Sequence, residues 1–162
     1  MRYRAVVVTV SDKGSAGQRT DTSGPLLKEM LEKTYDVAGV IIVPDEAPVI
    51  AQTIKEQVDR QAIDLVVTTG GTGVGPRDVT PEATRLVIEK ELPGFAEAMR
   101  MESYKITPFA LISRAVCGVR GQSIIVNLPG SPKAAAECLS FVEAAIPHAL
   151  EKVKGDPTDC AR

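Results

Sequence analysis

Two aspartates, Asp45 and Asp78, lie 33 residues apart, each shortly after an apolar, β-branched run. That separation is about one βαβ unit, so a parallel sheet would bring both carboxylates beyond the ends of successive strands. Between them runs Gly70-Gly71-Thr72-Gly73-Val74-Gly75, four glycines in six residues. Such a loop accepts positive φ and lets a ligand approach main-chain N–H groups. Two carboxylates beside it suit a hydrated Mg²⁺ bridging to phosphate oxygens, since Mg²⁺ keeps several waters and takes only one or two carboxylates. Spacing alone leaves a structural alternative open, in which Asp45 caps the next helix and Asp78 anchors its loop. Arg77 can neutralise a phosphate or pair with Asp78 or another acidic neighbour.

Two familiar phosphate loops are excluded. A Walker A loop ends in Gly-Lys-Ser/Thr, and the chain has no such triplet. A dinucleotide fingerprint starting at Gly71 and Gly73 would need glycine where Pro76 stands. Other polar candidates are Ser11, Asp12, Asp21 and Ser23 in an early loop, and Gly130-Ser131 in a late one. Ser131 as a helix cap would make an anion site from backbone N–H groups and the helix dipole. Loops and caps use the same residue types for conformational reasons alone. The single histidine, His148, and three cysteines without a CxxC pair offer no zinc set.

These residues need a scaffold, and the apolar pattern supplies one. Tyr3–Val10, Val37–Val43 and Ile63–Thr69 read as strands. Ser23 or Thr22 can cap a helix whose apolar face is Leu26, Leu27, Met30 and Leu31. Ala47–Gln61 reads as a second helix, with Ile50, Ile54 and Val58 four apart. Thr80 as N-cap and Pro81 at the first position open a third, running to about Lys90. Phe95–Tyr104 is helical again, and Thr107-Pro108 breaks the chain. Ala115–Val119 and Gln122–Asn127 form a hairpin through Arg120-Gly121. A last helix starts at Pro132 and is interrupted near Pro147. The alternation predicts an α/β fold: a three-layer α/β/α sandwich on a mostly parallel sheet, with a hairpin within 115–127. Residues 1–156 form one domain and 157–162 a flexible tail. Four loops, Ser11–Thr22, Pro44–Glu46, Gly70–Asp78 and Leu128–Ser131, then gather at one edge.

Composition agrees. The 162 residues are 44% hydrophobic but only 4% aromatic, without Trp, so the core must be aliphatic. A net charge of −2 gives no footprint for nucleic acid. No apolar run approaches the ~20 residues of a membrane helix, and Ala5–Val10 is too short for a signal-peptide core. The expected location is cytoplasmic.

The run TTGGTGVGPRDVTPEAT, with SDKGSAGQRTDTSGP and VPDE before it and ESYKITPFALISRA and NLPGSP after it, resembles the molybdopterin-binding family. The resemblance implies transfer of an adenylyl group from Mg-ATP to the terminal phosphate of molybdopterin, releasing pyrophosphate, with Asp45 and Asp78 as catalytic carboxylates and ligands of Mg²⁺. It places Ser11, Asp12, Gly70, Gly71, Thr72, Gly73, Arg77, Ser113, Arg114, Gly130 and Ser131 in the substrate and nucleotide site. It also implies a homotrimer, and a pathway in which another enzyme inserts molybdenum; this chain is expected to lack that enzyme's domain. Close relatives that only carry molybdopterin leave a non-catalytic role as the alternative.

Overall fold

The fold was analysed as a computed structural model, which describes residues 2–158 and 160. Six strands form one sheet in the order β2-β1-β3-β6-β5-β4. They are β1 Arg4–Val10, β2 Asp36–Val43, β3 Leu65–Thr69, β4 Lys90–Glu91, β5 Cys117–Arg120 and β6 Ser123–Leu128. The first four in spatial order are parallel, and β5 runs antiparallel to both β6 and β4. The predicted hairpin is therefore present.

Side chains alternate across the sheet as the strand period demands. Ala5, Val7, Leu65, Val67, Ile124 and Val126 face one core, shared with Leu27 and Leu31 of helix α2 (Ser23–Leu31). Met99 of α5 (Pro93–Tyr104), Leu139 of α6 (Pro132–Val142) and Leu150 of α7 (Ile146–Val153) complete that layer. Val6, Val8, Val66 and Ile125 face the other core, covered by α3 (Ala47–Asp59) and α4 (Thr80–Arg85). This is the expected three-layer sandwich. No helix among the described residues is long and apolar enough to cross a membrane.

Register fixes the location of any site. Val10 pairs with Val43, Thr9 with Thr69, and Thr69 with Leu128, so β1, β2, β3 and β6 end at one level. The chain leaves β1 toward α2 on one face and leaves β3 toward α4 on the other. The neighbours β1 and β3 thus flank a topological switch point, where open α/β sheets bind ligands.

Several local expectations need correction. The early loop contains a one-turn helix α1, Asp12–Ser15, capped by the Ser11 side chain. The helix cap after the glycine loop is Val79, not Thr80, because the Thr80 hydroxyl donates to the Gly70 carbonyl at 2.8 Å. That helix stops at Arg85 instead of continuing to Lys90. Its last predicted residues form the edge strand β4, since Glu89 N–H and Leu92 N–H complete the ladder to Val119 and Cys117 carbonyls. Thr107 caps a 3₁₀ segment, Pro108–Ile112, and a second 3₁₀ turn at Glu143–Ala145 makes the interruption before Pro147. In the terminal segment, Thr158 bonds to Asp156, while residues 159, 161 and 162 lie outside the described residues.

Candidate active site

The four predicted loops meet around a cleft of about 430 Å³ at the level of the strand ends. Ser11, Asp45, Gly70, Gly71, Asp78, Gly130 and Ser131 line it. The N–H groups of Gly71, Thr72 and Gly73 have no protein acceptor among the described residues, which leaves three successive donors for an anion. Gly71 is required here: its φ is +68°, and a Cβ would lie 2.3 Å from the Thr80 hydroxyl. At Gly73 a Cβ would come within 2.9 Å of an Asp78 oxygen, so a side chain there would displace that carboxylate.

Each aspartate is held through one oxygen. Asp45 Oδ2 accepts the Asp12 N–H at 2.8 Å, and Asp78 Oδ2 accepts the Gly75 N–H at 2.8 Å. Oδ1 of each has no protein donor among the described residues. Asp45 does not cap α3, whose N-cap is Glu46 without a side-chain bond; for Asp78, anchoring its loop and holding a ligand are compatible, one oxygen for each. Burial pushes the Asp45 carboxyl above its ordinary range; the Asp12 N–H and Arg77 work against this, and the Asp12 and Asp78 charges add to it.

The remaining predicted residues, Asp12, Thr72, Gly73, Arg77, Ser113 and Arg114, do not line this cleft. Arg77 grips Asp12 with two parallel bonds of 3.0 Å, and this guanidinium holds the Asp12 carboxyl below its usual range. Asp12 in turn accepts the Asp45 N–H at 3.0 Å. Arg114 points into the protein's own backbone: Nε donates to Gly73 O at 2.7 Å, Nη2 to Asp78 O at 2.8 Å, and Nη1 to Glu82. Its N–H also donates to Thr72 O at 2.8 Å. Thr72, Gly73 and Ser113 line an adjoining apolar cavity of about 280 Å³ with Met99, Phe109 and Cys138. Ser131 caps α6 by accepting the Ala134 N–H, so that helix start does face the cleft.

Residues 6–148 match the family described as a probable molybdopterin binding domain. The chain belongs to that family. It is 44% identical over 158 residues to the molybdopterin adenylyltransferase of Helicobacter pylori, covering 93% of this chain and 87% of that protein. It is also 44% identical over 152 residues to the molybdenum cofactor synthesis protein cinnamon of Drosophila melanogaster, but spans only 25% of that longer protein. Among solved structures, the molybdopterin biosynthesis enzyme MoaB of Thermus thermophilus superposes with a TM-score of 0.89 at 47% identity, covering 97% of this chain and 99% of its own.

Two features of this family member escaped sequence reasoning. Arg19 lines the cleft and has no carboxylate partner among the described residues. It is the one basic residue between Lys13 and Lys28, a signal the polar loop around it obscured. Asn127, fully buried on β6, donates to Thr68 Oγ1 at 3.0 Å and Thr84 Oγ1 at 2.9 Å and accepts the Val116 N–H at 3.1 Å. Thr84 then donates to the carbonyl of Thr80, the residue that secures Gly70. A lone Asn in an apolar run signals such a network only once its neighbours in space are known.

Proposed function

We propose that the protein is a molybdopterin adenylyltransferase, acting in the cytoplasm during molybdenum cofactor synthesis. Its substrates would be ATP and molybdopterin, and its products adenylylated molybdopterin and pyrophosphate. The observation that carries this reading is the convergence of Asp45 and Asp78, from successive strand ends, on a glycine loop with three unused N–H donors.

The donor set fits Mg²⁺, because each carboxylate keeps one hard oxygen without a protein partner. When bound, Mg²⁺ would screen the charge of the triphosphate. The chain's own residues do the rest. Asp45 and Asp78 orient the nucleotide, and the Gly71–Gly73 amides hold phosphate oxygens. The attacking group is the pterin's terminal phosphate, whose second pKa of about 6 leaves it largely ionised at neutral pH. It needs no strong general base, so the absence of His or Cys from the cleft is no obstacle. Catalysis then rests on alignment and on fixed donors aimed at developing charge.

A homotrimer would be the working form, with the product passed to a molybdenum-inserting enzyme. Met101, Tyr104, Ile106, Phe109, Leu111 and Ile112 are exposed together along the end of α5 and the 3₁₀ segment after it, which supports self-association. The deciding experiment measures pyrophosphate release from ATP with and without molybdopterin. Release that requires molybdopterin supports the reading; tight molybdopterin binding with no release would make the protein a carrier.

A further inference from the structure

Two anions must occupy this cleft in the proposed reaction, yet its walls are themselves acidic. The charged residues that line it are Asp21, Asp45 and Asp78 against Arg19 alone. The two cations that stand closest to the catalytic aspartates are already engaged, Arg77 with Asp12 and Arg114 with Glu82 and two loop carbonyls. Asp21 is engaged too, accepting the Thr9 hydroxyl at 2.7 Å and the Gly24 N–H at 3.0 Å. Among the described residues that line the cleft, Arg19 is the one cation available to neutralise an incoming anion.

The fold puts Asp45 and Asp78 on one side of the cleft and Arg19, together with Asp21, on the other. Asp45 precedes α3 and Asp78 precedes α4, the two helices that cover one side of the sheet. Arg19 precedes α2, on the opposite side, where α6 also starts. Thr22, Ser23, Ser131 and Pro132, at the N-termini of α2 and α6, line the cleft with it. The Ser23 hydroxyl donates to Gly130 O at 2.7 Å and ties the two helix starts together. Asp21 already accepts the Gly24 N–H at the start of α2, and Ser131 the Ala134 N–H at the start of α6, so the guanidinium is the cation on that side.

We infer that Arg19 binds the terminal phosphate monoester of the pterin substrate, on the side of the cleft opposite the carboxylates that position the nucleotide. This deepens the adenylyltransferase reading and rests on it. A dianionic monoester gains most from a planar guanidinium, which can offer two parallel N–H bonds. The nucleotide's phosphates would have the loop amides and a cation held by Asp45 and Asp78, so the two phosphate groups need not compete.

The test is equilibrium dialysis of molybdopterin, without ATP and in excess chelator, against wild type, Arg19→Gln and Arg19→Lys. The expected loss for Arg19→Gln is roughly 10- to 100-fold in affinity, as for a hydrogen bond to a charged group. Arg19→Lys should recover part of it. Molybdopterin from which the terminal phosphate has been removed should bind wild type and Arg19→Gln equally, and Mg-ATP should bind both within threefold. Unchanged molybdopterin affinity in Arg19→Gln overturns the assignment, and so does an equal loss for the dephosphorylated pterin or for Mg-ATP. A wild type that binds no molybdopterin would instead overturn the functional reading, and this assignment with it.

Discussion

Asp12 and Asp45 exchange backbone N–H groups: each carboxylate accepts the amide of the other residue, at 2.8 and 3.0 Å. The exchange locks the ends of β1 and β2 together and aims Asp45 Oδ1 away from the lock. Arg77 closes the unit by gripping Asp12 from the loop after β3. Three strand ends are thereby tied through a carboxylate that carries its own counter-ion.

The same unit sets a pH dependence of stability. Burial holds the folded Asp45 carboxyl above its ordinary value, so protonation favours the folded state. For a raised carboxyl, that favourable contribution is fully present below the unfolded pKa and is lost as pH rises through the folded one. At pH 7 the ionised Asp45 therefore costs stability. Asp45→Asn, which keeps an acceptor for the Asp12 N–H, should raise Tm at pH 7, and the gain should disappear near pH 3. Calorimetry at the two pH values checks this; an equal Tm at pH 7 would mean that the buried charge is fully compensated.

Arg114 is tied to the glycine loop. It binds the carbonyls of Gly73 and Asp78 and the Glu82 carboxylate, so it joins both ends of the segment that presents the free amides. Arg114→Gln should lower kcat on the order of a hundredfold by misplacing that segment. Affinity for molybdopterin in chelator should change little, which separates this variant from Arg19→Gln. Faster hydrogen exchange at Thr72–Asp78 would report the loosened loop directly.

Asn127 carries stability. Its amide satisfies two threonine hydroxyls and one backbone N–H in a fully buried setting. Asn127→Leu strands those groups, at a cost of about 2–4 kcal/mol in urea unfolding. Asn127→Asp should be no milder, because it buries a charge and loses both donors.

Much of this was legible in the chain. The β-branched runs, the Pro and Gly punctuation and the strand-end positions of Asp45, Gly70 and Ser131 follow from local chemistry, so the sandwich and its loop cluster could be read in advance. What could not be read depended on partners distant in sequence. Lys90–Glu91 has no strand pattern of its own, and only its ladder to β5 makes it one. Arg77 and Arg114 look alike as loop cations until Asp12 and Glu82, 65 and 32 residues away, are seen to hold them. Arg19 gains its meaning from that same pairing, as the cation left over.

The exposed apolar face makes a prediction about assembly. Phe109 is 78% exposed and Leu111 68%, in the same 3₁₀ turn. Sedimentation at micromolar concentration should give a trimer, and Phe109→Asp should shift it toward monomer without unfolding it. A monomeric wild type would remove the trimer from the functional reading.

Pterin binding and chemistry should separate by metal. If Asp45 and Asp78 share one cation that positions ATP, excess chelator should abolish pyrophosphate release yet leave molybdopterin bound through Arg19. Asp78→Asn keeps the shape of the side chain and its bond to Gly75, but removes a charge. Losing one such electrostatic element typically costs about 2–4 kcal/mol of barrier, roughly a hundred- to thousandfold in rate. Asp45→Asn should cost a similar factor, because it acts on the same ion from the neighbouring loop. The double variant should then be little slower than either single one, since groups that act as a unit are not additive. Pyrophosphate release measured for all four proteins, with and without chelator, checks each of these expectations. Full turnover in chelator, or losses that multiply strictly, would show that the two carboxylates do not share a metal and that Asp45 and Asp78 only fasten their loops.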